Sequence, residues 1–140
     1  MRVTPVALIV VAALAATYFI WPTQAVDTGQ TATGTDLVEV LLPEELPETA
    51  QLGKRAFEAK CAACHGLNAA GNSEAGPPLI HIIYEPSHHG DEAFQRAAAT
   101  GVRAHHWKFG NMPPLAGISD GEIQSIVAYV RRLQSANGIE

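Results

Sequence analysis

Cys61-Ala62-Ala63-Cys64-His65 is the stretch of this chain whose residue types and spacing can do chemistry. Two thiols separated by two residues can each add to one vinyl group of a haem. The imidazole that follows at once then lies under the iron as an axial ligand. Two other chemistries also use Cys-X-X-Cys. A dithiol redox pair follows a β-strand and has no use for the histidine. A zinc site needs two further ligands at a familiar spacing, and Cys61 and Cys64 are the only cysteines. The adjacent histidine favours covalent haem over both.

An iron held by His65 on one side has a second axial position to fill. Met112, in Gly110-Asn111-Met112-Pro113-Pro114, offers a thioether in a turn stiffened by two prolines. Such a ligand raises the potential of the iron. A methionine used only for packing sits more naturally on a helix or strand. The only other methionine, Met1, opens the chain.

From about Gln51 to Gln134 the chain resembles the class I cytochromes c, small all-helical electron carriers. Gly53 and Phe57 stand eight and four residues before Cys61, as in the first helix of that family. Gly76-Pro77-Pro78-Leu79 is similar to its Gly-Pro-X-Leu turn. Ile126-Val127-Ala128-Tyr129-Val130 is similar to its last helix, where an aliphatic residue and a tyrosine three positions on meet the first helix. The resemblance implies that Cys61 and Cys64 attach one haem c and that His65 and Met112 are the axial iron ligands. It also implies that the Pro77 carbonyl accepts the ring N–H of His65 and fixes its tautomer. The chain departs from the pattern between Leu79 and Gly110, which is rich in histidine.

The elements that must position these groups can be read without the family. Residues 48–63 have a helical pattern, with Leu52, Ala56 and Phe57 expected on its inner face. Asp91 to Thr100 reads as a second helix, acidic in its first turn, with Phe94, Ala97 and Ala98 inward and Gly101 as its stop. A third is announced by a capping box, Ser119 with Glu122, followed by Ile123, Ile126, Val127, Val130 and Leu133 at helical spacing. Arg131 and Arg132 are expected in its final turn, where the helix dipole favours cations. No segment of residues 49–136 alternates as a strand. The expected fold is all-α: a few helices wrapped around one covalently attached haem c. A domain of about 85 residues buries only some 60–65% of its unfolded surface, so the cofactor would supply apolar volume that the polypeptide lacks.

Residues 1–25 pose a separate question. Between Arg2 and Asp27 there is no charge, and Val6 to Trp21 is almost wholly apolar, ending in Tyr18, Phe19 and Trp21. Val3 to Trp21 would span about 28 Å as a helix, close to the roughly 30 Å hydrocarbon core of a bilayer. Aromatic residues at one end suit a membrane interface. The expectation is an uncleaved anchor that leaves the domain in the periplasm. The alternative is a signal peptide cut near Ala25, after Thr23-Gln24-Ala25, giving a soluble periplasmic protein.

The formal charge of −5 is uneven. Residues 27–48 carry six acidic groups and no basic one, whereas residues 49–140 carry eight of each. The acidic, Pro- and Thr-rich segment 26–48 is expected to be a flexible linker with a reach near 25 Å. Leu37 to Leu42 contains enough apolar residues to pack against something. No basic patch points to nucleic acid.

Five further histidines, His81, His88, His89, His105 and His106, fall within 26 residues, near Glu85 and Asp91. The helix between the two pairs, roughly 15 Å long, would separate them unless its flanking loops fold back. They are expected to be exposed loop residues, with one or two bonding the haem propionates. The alternatives are a second metal site, copper first, or a histidine at 105 or 106 replacing Met112 on the iron. The resemblance implies that polar-tipped residues such as Tyr84, Arg103 and Trp107 reach the propionates, and the alternative for Trp107 is a core aromatic with an exposed edge. With both axial positions filled, the expected activity is one-electron transfer without bond-making chemistry, between redox partners such as membrane respiratory complexes or a copper oxidoreductase. Copper handling through the histidines, or weak peroxidase or ligand sensing if Met112 is labile, are the competing functions.

Overall fold

Four α-helices account for the regular structure of residues 34–140, the part of the chain that the computed structural model describes. The apolar run read as an anchor or signal peptide lies outside the described residues. The helices are α1 (Glu48–Lys60), the short α2 (Ala62–His65), α3 (Asp91–Thr100) and α4 (Asp120–Ala136). Three-residue 3-10 turns occur at Leu67–Ala69 and Ile82–Tyr84. No strand longer than an isolated bridge occurs among the described residues.

Where one helix was expected over 48–63, the backbone leaves helical geometry at Cys61 (φ −117°), and α2 starts afresh. The break turns the Cys-X-X-Cys-His segment into a tight turn of its own, closed by the His65 N–H donating to the Cys61 carbonyl at 2.9 Å. The inner face of α1 also differs from expectation. Leu52 is 47% exposed, while Ala50, Gly53 and Phe57 are buried. Apolarity pointed to Leu52; proximity to α4 selects Gly53, where a Cβ would lie 1.8 Å from the Ser125 carbonyl oxygen.

That close crossing of α1 and α4 builds the core. Phe57 meets Tyr129 edge-on at 5.7 Å, with Ile126, Val130 and Leu133 beside them. The Tyr129 hydroxyl donates to Asn68 at 3.1 Å. Burial, reinforced by the Glu58 charge, pushes its pKa up to about 12, so it stays a donor. The start of α4 carries the expected box, with the Ser119 N–H donating to the Glu122 carboxylate at 2.8 Å and the Ser119 hydroxyl accepting from the Glu122 N–H. The helix runs one turn further than the basic pair suggested, so Arg131 and Arg132 are not in its last turn.

The segment read as a linker is bonded to the domain over its described part. Leu37 and Val38 donate to the Ala70 carbonyl at 3.1 and 3.2 Å, and Thr35 accepts from Ser73. The Asn137 side chain, past the end of α4, both accepts from and donates to the Leu41 backbone at 2.9 Å. An acidic, proline-containing composition does not prevent this, because the bonds are made by backbone groups that composition does not report.

Candidate cofactor site

A cavity of about 570 Å³ opens between α1, α3, α4 and the loop after α3. Its volume falls in the usual range for cofactor sites, about 300–1,000 Å³. Phe57, Leu79, Phe94, Ala97, Ile123 and Ile126 supply apolar wall. Cys61, Cys64 and His65 line the same cavity from the turn after α1, and Met112 lines it from the loop. A second hollow of about 540 Å³ lies between residues 42–46 and Tyr129 and Leu133, and contains none of these groups.

Cys61 is half-buried and Cys64 exposed, and neither is in a disulfide. Burial, and secondarily the charge of Cys64, pushes the Cys61 thiol up to about 11. Redox-active Cys-X-X-Cys pairs work the opposite way, with a thiol lowered to about 3.5–7.5.

The His65 Nδ1 lies 2.9 Å from the Pro77 carbonyl oxygen. A carbonyl only accepts, so Nδ1 carries the proton and Nε2 keeps a free lone pair. Burial holds the imidazole toward its neutral form, against the opposing pull of the Pro77 bond. A neutral ring with Nε2 free is the state in which histidine ligates a metal.

Met112 is held by its backbone. Its N–H and carbonyl pair with those of Val102 at 2.9 Å each, closing residues 103–111 into a loop that folds back over the end of α3. The Asn111 side chain fastens the same loop by accepting from the Ala104 N–H at 2.9 Å. The return requires Gly101, which sits at φ +76° with the Met112 carbonyl oxygen only 2.5 Å from where a Cβ would be.

Tyr84, Arg103 and Trp107 all line the cavity. Trp107 Nε1 is buried and has no acceptor in hydrogen-bonding geometry. It is still near enough to the Tyr84 hydroxyl to oppose the upward push that burial gives that group's pKa. A buried indole N–H without an acceptor, on a cavity wall that also carries Arg103, suits a carboxylate of a bound group. Paired thiols, a neutral imidazole and a thioether around one apolar cavity fit a covalently held haem. His81 packs edge-on against Trp107 at 5.1 Å.

The histidine pairs expected to stand apart come together. The folded-back loop brings His105 and His106 to His88 and His89, with ring centroids 4.2–6.1 Å apart. His88, His105 and His106 are exposed and His89 is half-buried. Ring nitrogens of His88, His89 and His106 lie within 4.8 Å of one another.

Two residues that support the site went unremarked as such in the sequence. Arg131 donates to the Tyr84 carbonyl at 2.7 Å, to Asp91 at 2.9 Å and to the His89 carbonyl, and lies over the Phe94 ring. The buried Gln134 accepts from Arg131 and donates to the Leu79 and Tyr84 carbonyls. Together they tie the histidine-bearing turn before α3 to α4. A basic residue and a glutamine on a helix carry no local signal of such partners, which are 40 or more residues away.

The family model described as Cytochrome c matches residues 50–134. The Cbb3-type cytochrome c oxidase subunit FixPc of Rhizobium leguminosarum bv. viciae is 34% identical over 89 residues, 62% of this chain and 29% of that protein. The chain thus matches less than a third of that relative's length. No solved structure gives a match.

Proposed function

Since the chain belongs to the cytochrome c family, we propose that it is a periplasmic, single-haem carrier that passes one electron at a time and is held to the membrane by its N-terminal run. Its fold is the all-α class I arrangement, and membership implies covalently bound haem c. Cys61 and Cys64 would attach that group through their sulfurs, and His65 and Met112 would ligate its iron. When bound, the haem supplies an iron that changes oxidation state by one electron.

The residues of the chain do the rest. The Pro77 carbonyl keeps Nε2 of His65 free and the ring oriented. Phe57, Phe94, Ile123 and their neighbours keep water from the cavity, which tunes the potential. Arg103 and the orphaned Trp107 N–H would receive its carboxylates. The observation that carries the reading is that His65, with its tautomer fixed, and Met112, with its backbone pinned, line one cavity.

An oxidase subunit among the relatives supports delivery of electrons to a membrane respiratory complex, with a copper oxidoreductase as the other candidate partner. The membrane tether rests on the uncharged run Val3 to Trp21. Two measurements test the proposal. Redox titration of the purified holoprotein should follow a single one-electron curve without sustained peroxide turnover; steady peroxide consumption would overturn the carrier reading. The holoprotein should sediment with membranes, and mature protein that begins at Val26 would overturn the tether.

A further inference from the structure

We infer that His88, His89 and His106 form a second metal site, for a divalent transition ion of the copper(II) or zinc type, at the rim of the haem cavity. The inference does not depend on the carrier reading. Their ring nitrogens lie within 4.8 Å of one another. Three nitrogens bound to one copper or zinc ion through bonds of about 2.0–2.1 Å stand roughly 3–3.5 Å apart. Binding therefore requires the rings to close by roughly 1 Å or slightly more, and His88 and His106 are exposed and free to turn.

The surroundings orient the rings as ligands. His89 Nδ1 is 2.6 Å from the Ile83 carbonyl oxygen, and His105 Nδ1 is 2.8 Å from that of Arg103. Each carbonyl only accepts, so both rings carry their proton on Nδ1 and present Nε2. This is the backing that metal-bound histidines have. The backbone that carries His89 is itself fixed, since Arg131 takes the His89 carbonyl as an acceptor. The His105 ring lies against that of His106, tilted with centroids 4.2 Å apart, and is placed to steady it.

The gathered rings have no acidic partner. Among the described residues the ion pairs are Lys54–Glu58 and Arg131–Asp91, so no carboxylate pairs with any of the four imidazoles. Three of the four rings remain exposed rather than forming core. Imidazole donors without carboxylates select ions such as copper(II) and zinc over magnesium and calcium.

The test uses the haem-loaded full chain. Copper(II) or zinc is added in separate samples, the excess is dialysed away, and retained metal is measured per haem iron. About one ion per iron is expected for at least one of the two metals. His88→Ala and His106→Ala should each weaken retention at least about tenfold, since removing even an outer partner of a ligand costs 10–100-fold. The haem absorption spectrum of each variant should be unchanged, which shows that the fold survives. The copper-loaded form should show nitrogen hyperfine structure in its electron paramagnetic resonance spectrum. Holoprotein that retains neither metal overturns the site, as does retention that both substitutions leave intact.

Discussion

Gly53 on α1 and the Ser125 carbonyl on α4 approach so closely that a methyl group at position 53 would stand 1.8 Å from the oxygen. Replacing glycine by alanine in a helix ordinarily stabilises by about 1 kcal/mol. Here the sign reverses, because the added carbon meets backbone that cannot swing away. Gly53→Ala should destabilise the holoprotein by about 1–3 kcal/mol, as overpacking does. Denaturant unfolding measures it, and a raised midpoint would mean that the helices do not cross here.

The cavity also sets what the polypeptide can do alone. At about 24 cal/mol per Å³, leaving 570 Å³ empty costs on the order of 14 kcal/mol. That is an upper bound, since the cavity is open on one side and its walls can collapse, yet it matches the whole stability of a domain, about 5–15 kcal/mol. The double variant Cys61→Ala, Cys64→Ala, unable to attach haem, should be largely unfolded. Circular dichroism during heating checks this; a cooperative transition would contradict it.

Arg131 is a clamp. Its guanidinium holds the Tyr84 and His89 carbonyls and the Asp91 carboxylate. Hydrogen bonds to charged groups contribute about 1.5–3 kcal/mol, so Arg131→Ala should lose roughly that much. Arg131→Lys should recover only part, because an ammonium cannot present the planar fork. Equal stability of the lysine variant and the natural chain would show that charge alone suffices.

Acid should weaken the start of α4. Bonds from the Ser119 N–H and hydroxyl hold the Glu122 carboxyl below its ordinary 4.5. As pH falls through about 4.5 the unfolded chain takes up the proton first, so the folded state loses relative stability. The contribution is fully present above that value and gone below the lower folded one. Glu122→Gln should therefore flatten the fall of stability between about pH 5 and 3, read from urea midpoints. A curve parallel to that of the natural protein would remove Glu122 from the effect. Ser119→Ala, which deletes the other half of the box, should cost about 1 kcal/mol.

Met112→Ala should lower the potential, because a thioether ligand raises it. Potentiometric titration of both proteins decides the matter, and equal midpoints would take Met112 off the iron.

The features visible in the sequence are those encoded locally. The Cys61–His65 motif, the capping box at Ser119 and the apolar spacing from Ile123 to Leu133 each depend on residues within a few turns of one another. What escaped depends on tertiary contact. Leu52 was expected inside because apolar residues mark a buried face, but the closest approach to α4 falls on Gly53, which hydrophobicity cannot flag. The two histidine pairs looked separated by a helix. The left-handed turn at Gly101 and the Val102–Met112 pairing fold the loop back and join them. Arg131 was read for the helix dipole, while its partners come from a turn some 40 residues earlier. The stretch from Thr35 to Leu41 was read from composition as a tether, yet its backbone is bonded to the domain.

Carbon monoxide offered to the reduced holoprotein tests the central claim most directly, because it binds only where an axial position of the iron is open. With His65 and Met112 both in place, the absorption spectrum should not change, and Met112→Ala should bind the gas at once. Ready binding by the natural protein would contradict the account, leaving an open iron site where a closed electron carrier was expected.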